Sequence, residues 1–212
     1  MTLIVGILTN EKNFLICDKI HSLDGTKEEP VKVIYENIKI TSPSVRINTG
    51  TKVYKLNDNI LIGGAGDYDK IRKYIETIKD ENFETIIGTT HAYYSKNKQE
   101  SPDQMLIMVK DKIVTIDAFY QYTNAELYSY LDCQHQINDI NIGVVPIGSG
   151  AQLFLTMYNH IKEKCINEYK EAIKTTDYTK WEVKFLEKIK QMYTDISKYD
   201  DAVGSDVEIY EL

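Results

Sequence analysis

The sequence predicts an α/β protein, a four-layer αββα sandwich with two antiparallel sheets. Three observations lead there. Most strands come in pairs joined by short polar turns, so hairpins rather than βαβ crossovers connect them, and hairpin partners run antiparallel. Two helix pairs are separated by further strands, which places one helical layer on each side. The first strands are apolar at nearly every position, which suits a sheet covered on both faces.

Taken in order, Leu3 to Leu8 and Phe14 to Cys17 flank the polar break Thr9-Asn10-Glu11-Lys12-Asn13 and form the first hairpin. From Lys19 to Thr49 the chain is polar and contains Pro30 and Pro43. The alternating pieces Val31-Lys32-Val33-Ile34 and Ile38-Lys39-Ile40 mark an extra hairpin within this excursion. Lys52 to Leu56 and Ile60 to Gly66 form the next strand pair around Asn57-Asp58-Asn59, and its end is rich in glycine. Glycine at a strand end permits positive φ or close backbone approach. Tyr68, Ile71, Tyr74, Ile75 and Ile78 recur at helical spacing from a start near Asp67. A second helix covers Phe83 to Tyr94, followed by a solvated connection from Lys96 to Asp103.

Met105 to Val109 and Ile113 to Ala118 give a third hairpin. Tyr120 to Ile142 carries no periodic signal; its tyrosines at 120, 122, 128 and 130 suit core packing or a contact surface. Val144 to Gly150 runs a short strand into a small-residue turn. Two helices follow, striped by Leu153, Phe154, Met157, Ile161, Ile166, Tyr169 and Ile173, and by Trp181, Phe185, Leu186, Ile189, Met192 and Tyr193. Val207 to Leu212 alternates as a closing strand.

With 212 residues, 42% of them hydrophobic, and no Pro/Gly/Ser-rich linker, the expectation is one domain over 1–212 with a long insertion at about 20–50. A net charge of -7 argues against nucleic acid and anionic membrane as partners. The run Leu3 to Leu8 is too short to span a bilayer and no secretory signal precedes it, so a cytoplasmic location is expected. Cys17, Cys133 and Cys165 are widely separated, as suits free thiols. Cys133-Gln134-His135 has no zinc-ligand spacing, and neither a metal nor another cofactor is expected. The chemistry-bearing feature is Thr2. Once Met1 is removed, one residue carries both a hydroxyl nucleophile and an amine able to act as its base.

The Thr-led first strand, Asp18 closing the second, Lys52-Val53 opening the third, Gly64-Ala65-Gly66 before the first helix, Gly148-Ser149-Gly150 before the third and Asp201-Ala202-Val203-Gly204-Ser205 before the last strand form a pattern across nearly the whole chain. In these features the sequence resembles the proteasome β-type subunits and the bacterial HslV-type peptidase, within the N-terminal-nucleophile hydrolases. The resemblance implies their sandwich fold and a threonine peptidase with no cofactor. It implies Thr2 as nucleophile and Lys52 as the charge that lowers the pKa of its amine. Asp18 would orient Lys52, and the backbone N–H of Gly66 would form the oxyanion hole. Ser149 and Asp201 would hold the terminal amine. Ser22, with Gly64 and Ala65, would align a peptide or protein substrate as an added strand. A homo-oligomeric ring and an unfoldase ATPase are the implied partners. With Thr2 so near the start of the sequence, the resemblance would be to the catalytic β-type rather than the α-type subunits.

The sequence departs from the family at four places. Leu3 follows Thr2 where a second threonine is common, Asp67 follows Gly66, Gly204 stands where a serine is frequent, and the excursion from Ile20 to Gly50 is long. Asp67 puts a negative charge beside the oxyanion position, which would weaken it or favour basic substrates. Two alternatives to peptide cleavage are a scaffold of this fold without catalysis and an amidase acting on a small amide.

Overall fold

A computed structural model describes residues 2–24, 31–35, 38–42, 44–48, 52–96, 104–110, 112–117, 126–130 and 142–212. The first half holds strands β1 (Leu3–Leu8), β2 (Phe14–Asp18), β3 (Ile20–Asp24), β4 (Val31–Tyr35), β5 (Ile38–Ser42), β6 (Ser44–Asn48), β7 (Val53–Asn57) and β8 (Ile60–Ala65). Helices α1 (Tyr68–Ile78) and α2 (Phe83–Lys96) lead to β9 (Gln104–Val109), β10 (Lys112–Asp117), β11 (Glu126–Tyr130) and β12 (Gly143–Gly148). The chain continues through α3 (Ala151–Thr175), α4 (Tyr178–Ile196) and β13 (Val207–Glu211).

Two antiparallel sheets face each other. One has four strands in the order β12-β1-β2-β13, the other five in the order β11-β10-β9-β8-β7. The alternation of side chains along β1 explains why that strand is apolar throughout. Leu3, Val5 and Ile7 point into a core shared with Phe154, Trp181, Phe185 and Tyr193 of α3 and α4. Ile4 and Leu8 point the other way, into a core with Leu61, Leu106 and Met108 of the second sheet. A third core joins the outer face of that sheet, through Ile62, Ile107 and Ile116, to Ile71, Ile75 and Ile86 of α1 and α2. Three apolar layers thus bind four layers of secondary structure, as the continuous runs predict.

The long excursion is two strand pairs, one nested in the other. β3 pairs with β6, and within the loop they close, β4 pairs with β5. The alternating pieces singled out in the sequence are β4 and β5. β3, β6 and β11 escape the sequence reading; β11, within the unpatterned stretch from Tyr120 to Ile142, pairs with β10 and extends the second sheet. Tyr120, Tyr122, Cys133-Gln134-His135 and the connection beyond Lys96 lie outside the described residues, as do the side chains of Tyr128 and Tyr130. Helix α2 runs two residues past the expected Tyr94, to Lys96. Among the described residues no helix is long and apolar enough to cross a membrane.

Candidate active site

The site lies where β1 begins, β2 ends and the chain enters β7. Asp18 is the last residue of β2 and is fully buried. Its Oδ1 accepts from the Thr2 hydroxyl at 2.6 Å and from the Leu3 N–H at 2.9 Å. Its Oδ2 accepts from Lys52 Nζ at 2.8 Å and from the N–H groups of Ile20 and Gly204, each at 3.2 Å. A buried carboxylate needs such compensation, because its desolvation is otherwise prohibitive.

Lys52, 4% exposed, also donates to Thr2 Oγ1, so the threonine hydroxyl is held between ammonium and carboxylate. Burial pulls the Lys52 ammonium below the ordinary lysine range, while the adjacent Asp18 works against that fall. The carbonyl of Lys52 accepts from the Gly64 N–H at 3.0 Å, which ties the lysine to β8. Neighbouring Cys17 is also fully buried, and burial pushes its thiol up to about 12.

Gly66 directly follows β8 and has φ of 142°, a conformation that side chains rarely adopt. Asp67 then caps α1, its carboxylate accepting from the Lys70 N–H at 3.1 Å. The family departure at this position is therefore a helix cap, with the negative charge engaged at the helix N-terminus.

Behind Thr2 stands the turn after β12. Gly148 has φ of 97°, and a Cβ there would lie 2.1 Å from the Thr2 carbonyl oxygen, so only glycine fits. Its N–H donates to Gln104 Oε1 at 2.6 Å. Ser149 Oγ lies 3.5 Å from the Thr2 oxygen and donates to Asp200 Oδ2 at 2.8 Å. The carboxylate on Ser149 is thus that of Asp200, the residue before Asp201. Asp200 Oδ1 accepts from the Ala202 N–H at 2.9 Å, a tight turn that directs the second oxygen to Ser149. Asp201 is exposed in the same turn.

Of the residues singled out in the sequence, Thr2, Asp18 and Lys52 are in mutual hydrogen-bond contact, and Ser149 stands beside the Thr2 carbonyl. Gly64 and Ala65 lie on β8, in register with Met105 and Gln104 of β9. Ser22 lies on β3 opposite Arg46, and its side chain is outside the described residues. Sequence reading misses Asp200 and Gln104. Asp200 stands directly before Asp201 and carries no signal of its own, and a single polar residue opening the apolar run of β9 is a faint signal for Gln104.

No protein-family model matches the sequence, and no curated protein matches it. The structure does match solved ones. A crystal structure of eukaryotic HslV from Trypanosoma brucei aligns with a TM-score of 0.53 at 13% identity, covering 99% of this chain and 98% of that one. The chain therefore has the proteasome-like, N-terminal-nucleophile hydrolase fold over nearly its full length.

Proposed function

We propose that this chain is a threonine-type peptidase whose nucleophile is Thr2, exposed by removal of Met1. One observation carries the reading: in a fold matched end to end by HslV, the hydroxyl of the second residue contacts a buried Lys52–Asp18 pair. An α-amine has an unperturbed pKa of about 8, and the Lys52 charge beside it favours its neutral form.

The freed amine takes the proton from Thr2 Oγ, and the oxygen adds to the carbonyl of the scissile bond. Charge moves onto the carbonyl oxygen, where the Gly66 N–H would stabilise it; such a contact is worth about 3 kcal/mol in the transition state. Collapse of the adduct expels the amine product, which takes up the proton, and leaves an ester on Thr2. Water, activated by the same amine, hydrolyses the ester and restores the hydroxyl. Asp18 holds Lys52 and the hydroxyl in one geometry throughout. Ser149, backed by Asp200, would steady the Thr2 backbone. Ser22, Gly64 and Ala65 would flank an extended peptide. A ring of identical subunits in the cytoplasm, served by an unfoldase ATPase, belongs to the same proposal, and native mass measurement tests the ring.

The decisive experiment is intact mass measurement of the purified protein before and after treatment with a β-lactone, which acylates a threonine hydroxyl. Loss of Met1 and a single adduct, absent in Thr2→Ala, are expected. Retained Met1 with no Thr2-dependent adduct would sink the reading.

A further inference from the structure

Among the described residues, polar links join the sheets on both sides of Thr2 at the site end of the sandwich. The first is the Asp18–Lys52 pair, from the end of β2 to the residue before β7. The second is the bond from the Gly148 N–H to Gln104 Oε1, from the end of β12 to the start of β9. Between the sheets lie Ile4, Leu15, Val53, Leu61 and Leu106. Apolar contact of that kind fixes the spacing of two sheets but is non-directional, so it does little to set their offset. A further polar link, from Asn13 Nδ2 to the Lys110 carbonyl, stands at the opposite end, beyond the turn of the first hairpin.

The second link connects the two halves of the proposed chemistry in few steps. Gly148 is in register with Leu3 and packs directly on the Thr2 carbonyl. Gln104 is in register with Ala65, and Gly66 is the next residue. A displacement of β12 against β9 would therefore move the nucleophile against the oxyanion position. Errors of about 1 Å in such a geometry cost up to about a hundredfold in rate.

We infer that Gln104 is a positioning residue, whose side-chain carbonyl holds the Gly148 turn beneath Thr2 at a fixed distance from Gly66. This rests on the peptidase reading above. A link that only stabilises the fold would change unfolding but leave the acylation rate of folded molecules untouched. Gln104 acts on the rate itself.

The test uses the full chain, with Gln104→Met removing the acceptor at similar volume and Gln104→Glu restoring one. β-lactone acylation is followed against inhibitor concentration, separating the maximal acylation rate from the initial binding constant. Gln104→Met is expected to lower the maximal rate about tenfold, with the binding constant within about twofold, and Gln104→Glu to recover most of the loss. Hydrogen exchange at the Gly148 amide is expected to be slow in the parent and fast in Gln104→Met. A Gln104→Met protein acylated at the parental rate overturns the inference. So does a parent whose Gly148 amide exchanges like an exposed one, whether or not the Met variant folds. A labelled parent indifferent to Gln104 leaves the peptidase reading standing, whereas a parent without any Thr2-dependent adduct removes both.

Discussion

At the scale of single residues the site is asymmetric. Asp18 accepts from three backbone N–H groups, a hydroxyl and an ammonium, so it keeps four donors if Lys52 is replaced. Lys52 depends on Asp18 for the charge that offsets its burial. Asp18→Asn is therefore expected to destabilise more, by about 3–5 kcal/mol, because it strands a buried cation. Lys52→Met is expected to cost about 1–3 kcal/mol. Urea unfolding of both variants measures the difference, and equal losses would contradict the asymmetry. Asp18 and Lys52 were legible only through the family pattern, since each taken alone reads as a turn aspartate or a solvated lysine. Gln104 was not, since a bond spanning the 44 positions to Gly148 leaves no periodic trace.

At the scale of elements, helix α1 begins where the proposed oxyanion position ends, so its N-terminus fixes both. Removing the cap with Asp67→Ala is expected to cost about 1 kcal/mol, while Asp67→Asn, which keeps an accepting oxygen, costs a few tenths. Thermal unfolding checks the pair. Equal losses in both variants would assign the effect to charge rather than to the hydrogen bond. The start of α1 and both members of the α3–α4 pair were readable because each helix buries one face and leaves a period in the sequence, and the strands of the main hairpins because apolar runs flank short polar turns. β11 was unreadable. An edge strand pairs on one side only, and Tyr120 to Ile142 mixes tyrosine with polar residues without alternation.

At the scale of the molecule, burial of neutral acids sets an upper pH limit. The Cys17 thiol rises from 9.0 and the Tyr74 hydroxyl from 10.0, each to about 12, and Tyr193, bonded to the Ile16 carbonyl, rises well above its ordinary range. Desolvation is the leading cause in each case. In that window the unfolded chain gives up protons that the native one keeps, so stability falls as pH rises above about 9 and more steeply above about 10. Lys52 has the opposite sign. Between its lowered native value and 10.5 the unfolded lysine holds a proton that the native one has lost, which adds stability with rising pH until 10.5 is passed. Urea midpoints at about pH 8, 9, 10 and 11 are expected to decline, and Cys17→Ala to flatten the onset near pH 9. An unchanged onset in Cys17→Ala would contradict its assignment to the thiol. The four-layer architecture was legible from sequence alone because hairpin connections make the doubly apolar strands antiparallel, and two helix pairs supply the two outer layers.

The N–H of Gly204 on Asp18 has a temporal consequence. Thr2, Asp18 and Lys52 are made before the turn behind Thr2 at Gly148, and the Gly204 donor to Asp18 follows that aspartate by 186 positions. Chains fold as they emerge, and contacts between distant segments form late. The Thr2 hydroxyl is therefore framed only once the segments of Gly148 and Gly204 have joined the first strands, so under the peptidase proposal a shorter nascent chain holds the nucleophile without the frame that places it.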